Sequence, residues 1–181
     1  MRLRRAVRGL AAGGELSDEA AGAPREEDTG HAPLTVHASA VAVGEVGILI
    51  FGHSGSGKSS LALSLLALAA EAGRFARLVG DDRIELVGRN CRLLARGHPL
   101  IHGMIEQRGR GMLRLAHEPT VVIRLAVDLL PVAELARYPQ PAERQVELCG
   151  VKLPRLALSS DRSSYDCARL VMTYLQQADT N

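Results

Sequence analysis

The chain has 181 residues, 46% of them hydrophobic and 23% charged, with a formal net charge of +2. That is one domain's worth of packable chain, and the charge is too small to argue for nucleic acid or a membrane surface as partner. Three cysteines, Cys91, Cys149 and Cys167, are odd in number and form no C-x-x-C, so neither a disulfide framework nor a zinc ribbon is expected; a reducing cytoplasm fits, and no apolar run is long enough to span a bilayer.

Residues 1–33 carry Arg2, Arg4, Arg5 and Arg8 near their start, but no apolar stretch follows, only Gly, Ala and acidic residues through Asp28. This composition predicts a disordered leader rather than a signal peptide, ahead of one folded domain over residues 34–181. Residues 35–43 are β-prone, Gly44-Glu45 reads as a turn, and residues 46–51 return as a strand, making a hairpin. The Leu/Ala-rich residues 60–72 predict a helix that stops at Gly73. Residues 75–79 read as a short buried strand. Residues 84–87 and 91–95 read as a second hairpin around Gly88-Arg89-Asn90. Residues 96–111 are loop-like, and residues 120–128 form a strong strand. A short helix is expected over 132–138, short strands over 145–148 and 156–158, and a terminal helix over 163–177 with Ser and Asp caps at its start.

The segment Gly52-His53-Ser54-Gly55-Ser56-Gly57-Lys58-Ser59 matches G-x-x-x-x-G-K-[ST] at every fixed position, between an expected strand and an expected helix. The chemistry explains the spacing. Glycines let successive backbone N–H groups turn towards one phosphate. Lys58 places a cation on the β- and γ-phosphates, Ser59 offers a hydroxyl to Mg²⁺, and the helix start adds its positive dipole end. All eight residues are read as nucleotide-binding, with ATP and Mg²⁺ as cofactors.

Three further features fit phosphoryl transfer, in which the protein mainly positions groups and stabilises charge. Asp81-Asp82 closes a strand; one carboxylate can hold Mg²⁺ while the other accepts the proton of an attacking hydroxyl, and the plain alternative is a strand-end turn. Glu106 can be a second Mg²⁺ ligand, and Arg108 or Arg110 can fork onto phosphate; the plain alternative there is a solvated basic loop. His37 lies on the strand before the loop's own strand, where an isolated histidine is usually structural. His98, His102 and His117 lack metal-ligand spacing.

These residues together resemble the catalytic C-terminal domain of the HPr kinase/phosphorylase family. The resemblance runs over residues 34–177. It includes Val36-His37, the P-loop with Leu61-Ala62-Leu63 after it, Gly80-Asp81-Asp82, the signature Ile105-Glu106-Gln107-Arg108-Gly109-Arg110-Gly111-Met112, and the Gly-Val-x-Leu-Pro segment from Gly150 to Pro154. It implies a P-loop kinase domain of α/β class with a mixed sheet like that of phosphoenolpyruvate carboxykinase; the two hairpins agree with mixed pairing. It further implies an ATP- and Mg²⁺-dependent protein serine kinase acting on an HPr-like phosphocarrier. His37, Lys58, Asp81, Asp82 and Arg137 would be catalytic, with Asp82 the favoured base and Arg144 the rival of Arg137. Ser59 and Glu106 would hold Mg²⁺, and Arg108, Gly109 and Gly111 would form the signature loop. In reverse, inorganic phosphate would attack phosphoserine and pyrophosphate would leave. A homo-oligomer, hexameric in the family, is implied as well, with no nucleic-acid or membrane partner.

The departures are specific. The family's separate N-terminal domain has no match here, which resembles the short form of some alphaproteobacteria. Ser60 stands where the family commonly has an acidic residue, and His53 where it often has Asp. The late Pro-Val-x-x-Gly-Arg-Asn loop, associated with dephosphorylation, is replaced by Ser159-Ser160-Asp161-Arg162-Ser163-Ser164, with Arg162 the substitute for its arginine. The kinase direction is therefore better founded than the phosphorylase direction. Two other readings stay open: a P-loop kinase for a small metabolite, and a nucleotide-binding regulatory module that transfers nothing.

Overall fold

A computed structural model of the chain describes residues 32–178. The leader expected over residues 1–33 lies outside the described residues except for Ala32 and Pro33, which join no element. The strands are β1 (Leu34–Val36), β2 (Ser39–Val43), β3 (Val46–Gly52), β4 (Ala76–Gly80), β5 (Ile84–Arg89), β6 (Arg92–Gly97), β7 (Met104–Gln107), β8 (Gly111–Arg114), β9 (Thr120–Leu130), β10 (Gln145–Leu148) and β11 (Val151–Ser159). Two helices, α1 (Lys58–Glu71) and α2 (Ser164–Ala178), complete the described fold.

The long strand β9 is its organising element. Its sequence, TVVIRLAVDLL, is almost continuously apolar, as expected for a strand covered on both faces. On one edge its first half pairs antiparallel with β6 and its last half pairs parallel with β11. On the other edge it runs parallel to β3. The sheet order β1–β5–β6–β9–β3–β2–β4, with β10–β11 added beside β9, follows from this sharing. Hairpin β7–β8 forms a separate small sheet.

Alternate residues of the central strands point to opposite faces. Ile48, Ile50, Leu125 and Val127 meet Leu61, Leu65, Val171 and Leu175 of the two helices. Leu49, Phe51 and Ala126 meet Leu86, Leu93 and Ala95 from the far wing of the same sheet. The sheet therefore curls around its helix-free face. The edge strand β4 comes so close to β6 at Gly80 that a Cβ there would lie 2.7 Å from the Gly97 Cα, which only two glycines allow. The outer edge of β4 is partly covered by residues 116–118, which bond to the backbone of Leu78.

The sheet is mixed, as expected: only the β9 pairings with β3 and β11 are parallel, and both helices lie on one face. The other part of the expected fold class, a P-loop kinase domain like phosphoenolpyruvate carboxykinase, is corrected by the comparison with solved structures below.

Local expectations differ in four places. The first β-prone run is two strands broken at His37-Ala38. The second hairpin turns at Asn90-Cys91, with φ of 47° and 57°, as a two-residue primed turn needs. The stretch read as loop contains β7 and leads into β8. The helix expected over 132–138 is a single 3₁₀ turn, Val132–Glu134. At α1 the expectation held: Gly73 has φ 67°, and the bonds Gly73 N–H to Ala70 O and Arg74 N–H to Ala69 O close a Schellman motif. The three cysteines are free; Cys91 is exposed, while burial pushes the Cys149 and Cys167 thiols upward. Truncating Leu125, 1% exposed in the middle of β9, to Ala is expected to cost about 2–5 kcal/mol by the cavity left behind; a urea titration of the variant checks this.

Candidate active site

Strand β3 delivers the chain to the glycine-rich loop, and α1 starts at Lys58. Gly55 and Gly57 have φ of 81° and 93°, a region that a side chain disfavours. At Gly52 a Cβ would lie 2.3 Å from Ser56 Oγ, so the loop closes on itself only with glycine there. Lys58 is 6% exposed and donates to the carbonyls of Gly52 (3.2 Å) and His53 (3.0 Å). Burial pushes its amine below the usual lysine range, against the upward pull of Asp81 and Asp82.

The two adjacent aspartates separate in space. Arg83 N–H donates to Asp81 O at 2.8 Å, closing a three-residue turn in which Asp82 has φ 69°. That turn sends the side chains to different partners. Asp81 is 6% exposed; it accepts from Ser39 Oγ at 2.5 Å, from Ser59 Oγ at 2.9 and 3.1 Å, and from the Glu106 N–H at 3.4 Å. Asp82 is exposed at the rim, with Oδ1 2.9 Å from His37 Nε2.

The signature segment forms the β7–β8 hairpin, with Gly109 and Gly111 at φ 82° and 83° in its turn. Its backbone brings Glu106 to Asp81, although the Glu106 side chain is exposed. Arg108 reaches the glycine-rich loop: a Cβ on Gly55 would lie 3.1 Å from Arg108 Nη2. Arg110 turns to Gln107 of its own hairpin at 3.4 Å. Arg137 is not brought in; it is exposed in an irregular segment, and its rival Arg144 donates to Pro139 O at 3.2 Å. Among the described residues, no group of three or more His, Cys, Asp or Glu is arranged to hold a metal. Beside the loop, a recess of about 240 Å³ is lined by Ser56, Ser60, Ser160, Arg162 and Cys167. Ser56 Oγ is buried there with no hydrogen-bond partner among the described residues.

The model of the HPr serine kinase C-terminal domain matches residues 31–164. The chain belongs to that family. The HPr kinase/phosphorylase of Neisseria meningitidis is 36% identical over 95 residues, covering 48% of this chain and 28% of the relative. That of Chlorobium chlorochromatii is 33% identical over 133 residues, 67% of this chain and 38% of the relative. The chain thus spans well under half the length of these curated relatives. The solved structure of the HPr(Ser) kinase/phosphatase from Coxiella burnetii superposes with a TM-score of 0.67 at 23% identity, covering 81% of this chain and 99% of that one. The fold is thus the mixed α/β sheet of HPr kinase/phosphatase, not one like phosphoenolpyruvate carboxykinase.

Two features of this family member were not read from its sequence. Ser39, fully buried, is the hydroxyl that fixes Asp81 from behind; a lone polar residue opening the run Ala40-Val41-Ala42-Val43 was the available signal. Asp128, 4% exposed on β9 and opposite Phe51 in the β3 register, accepts two bonds from Arg155 at 2.6 and 3.2 Å. Arg155 also donates to Glu143 O at 3.0 Å, tying the irregular segment to the sheet. Here the signal was an aspartate inside an otherwise apolar strand. Replacing Arg155 with Met is expected to cost about 3 kcal/mol, because it leaves the buried Asp128 carboxyl without its partner; chemical denaturation measures the loss, and adding Asp128→Asn should recover part of it.

Proposed function

We propose that this chain is the catalytic part of an ATP- and Mg²⁺-dependent protein serine kinase that phosphorylates an HPr-like phosphocarrier. The observation that carries the proposal is the opposite aim of two neighbouring carboxylates, Asp81 onto the loop hydroxyl Ser59 and Asp82 onto His37. A phosphoryl-transfer site needs this division between a metal-side carboxylate and a carboxylate facing the acceptor.

The backbone N–H groups of residues 52–59 and the Lys58 amine would receive the β- and γ-phosphates of ATP. Ser59 and Asp81 would hold Mg²⁺, with Glu106 as a further carboxylate. An all-oxygen set with few protein ligands suits a small hard cation that completes its shell with water and phosphate oxygens. Bound there, the ion supplies charge neutralisation on the phosphates. Asp82, exposed at the rim, accepts the proton of the acceptor's serine hydroxyl, and His37 Nε2 at 2.9 Å orients that carboxylate. The relatives carry both activities in their names, and the proposal extends to the reverse direction. Inorganic phosphate attacks the phosphoserine phosphorus, the bond to the serine oxygen breaks, Asp82 returns the proton, and pyrophosphate leaves.

The test is transfer from γ-labelled ATP with Mg²⁺ to the HPr-like protein of the same genome, with Lys58→Ala as control. Label on an acceptor serine is expected, and Asp82→Asn should lower the rate by roughly 10²–10⁴-fold with nucleotide binding retained. Asp81→Asn should instead weaken Mg²⁺–ATP binding. Binding of ATP with no label on the acceptor would sink the kinase proposal and leave a small-metabolite kinase or a non-transferring module. The hexamer implied by the family resemblance is checked by sedimentation velocity of the full chain.

A further inference from the structure

A second recess, of about 390 Å³, has Arg83, the residue after Asp82, in its lining and none of the glycine-rich loop. Its floor is one row across the sheet. Thr35 pairs with Glu85, Glu85 with Arg96, and Arg96 with Thr120. Arg83 and His98 stand just outside β5 and β6, joined to each other by the His98 N–H to Arg83 O bond at 3.2 Å beside the Glu85–Arg96 pair, and all of them line the recess.

The charges in it are unbalanced. Arg83 and Arg96 are exposed, and among the described residues neither has an ion-pair partner. Glu85 is the single carboxylate lining the recess. His98 accepts from the Leu100 N–H at Nδ1, at 3.3 Å, which puts the hydrogen of the neutral ring on Nε2 and makes that nitrogen a donor. Two guanidinium forks and an imidazole N–H facing one cavity match an oxyanion better than any other ligand chemistry. The volume lies at the low end for small-molecule sites, which favours a small metabolite over a nucleotide or a peptide.

Arg83 also links this recess to the candidate active site. Its N–H closes the turn onto Asp81 O at 2.8 Å, and its carbonyl accepts from the His98 N–H at 3.2 Å. A ligand that draws in Arg83 therefore acts on the turn that aims Asp82 at His37. We propose that this recess binds a small dianion, a phosphate monoester or a short dicarboxylate, through Arg83, Arg96 and His98, and that its occupancy shifts the His37–Asp82 pair.

The experiment is a titration of the full chain, with ¹³C-labelled histidine rings followed by NMR, first with inorganic phosphate and then with malonate. His98 reports the recess, His37 the pair, and His53 the glycine-rich loop. His98 is expected to move saturably at millimolar anion, with His37 following at the same midpoint. Arg96→Gln should weaken that midpoint about tenfold or more and leave the His53 midpoint in place; Arg83→Gln serves as the second variant. Saturation by phosphate alone assigns the phosphate ester, and equal saturation by malonate assigns the dicarboxylate as an equal ligand. No saturable His98 shift below about 20 mM, or a midpoint unchanged in both variants, overturns the site. A moving His98 with a still His37 overturns the coupling.

Discussion

One strand has three neighbours, and the position of everything else depends on how β9 divides its edges among them. Half of one edge goes to β6 and half to β11, while the other edge is taken by β3. The parallel pairing with β3 sets where the chain leaves the sheet, and thus where the glycine-rich loop begins. The antiparallel pairing with β6 swings the β1–β5–β6 wing round until it meets β4. Asp81 and Asp82 stand where those two parts of the sheet touch, between the end of β4 and the start of β5. The loop and the carboxylates are 22 or more positions apart in sequence but share one corner.

Much of the core was legible because its signal is local. The run Val46-Gly47-Ile48-Leu49-Ile50-Phe51 and the Leu/Ala run after the loop each carry their own periodicity and their own stops. The β7–β8 hairpin was not legible. Its strands are four residues each and hold Glu, Gln and Arg, so propensity points to loop. Ile105 is fully buried against the main core and holds the hairpin in place; that contact is long-range and leaves no periodic trace. The curl of the sheet was equally hidden, because the Gly80 and Gly97 approach is a relation between two distant positions.

At the candidate site, residue identities were legible while their partnerships were not. The sequence suggests that Asp81 and Asp82 divide two roles but does not give their partners. In the structure Asp81 is enclosed by hydroxyls and a backbone N–H, and Asp82 is paired with an exposed imidazole. Arg137 shows the opposite outcome, a residue singled out by motif position that stands away from the loop in an exposed segment. Arg155, singled out by nothing in the sequence, proves to be the arginine with a buried carboxylate to satisfy.

The left-handed backbone at Asp82 also restricts which substitutions can be interpreted. Asp and Asn tolerate φ near 69° far better than Ala, whose Cβ is strained there. Alanine scanning at this position would remove a carboxylate and relax a turn at once, moving Asp81 and Arg83 along with it. Asparagine keeps the backbone and deletes only the charge. Over evolutionary time the same asymmetry leaves Asn and Gly as the low-cost neighbours of Asp82, so a lineage that lost the carboxylate would be expected to retain the shape of the corner.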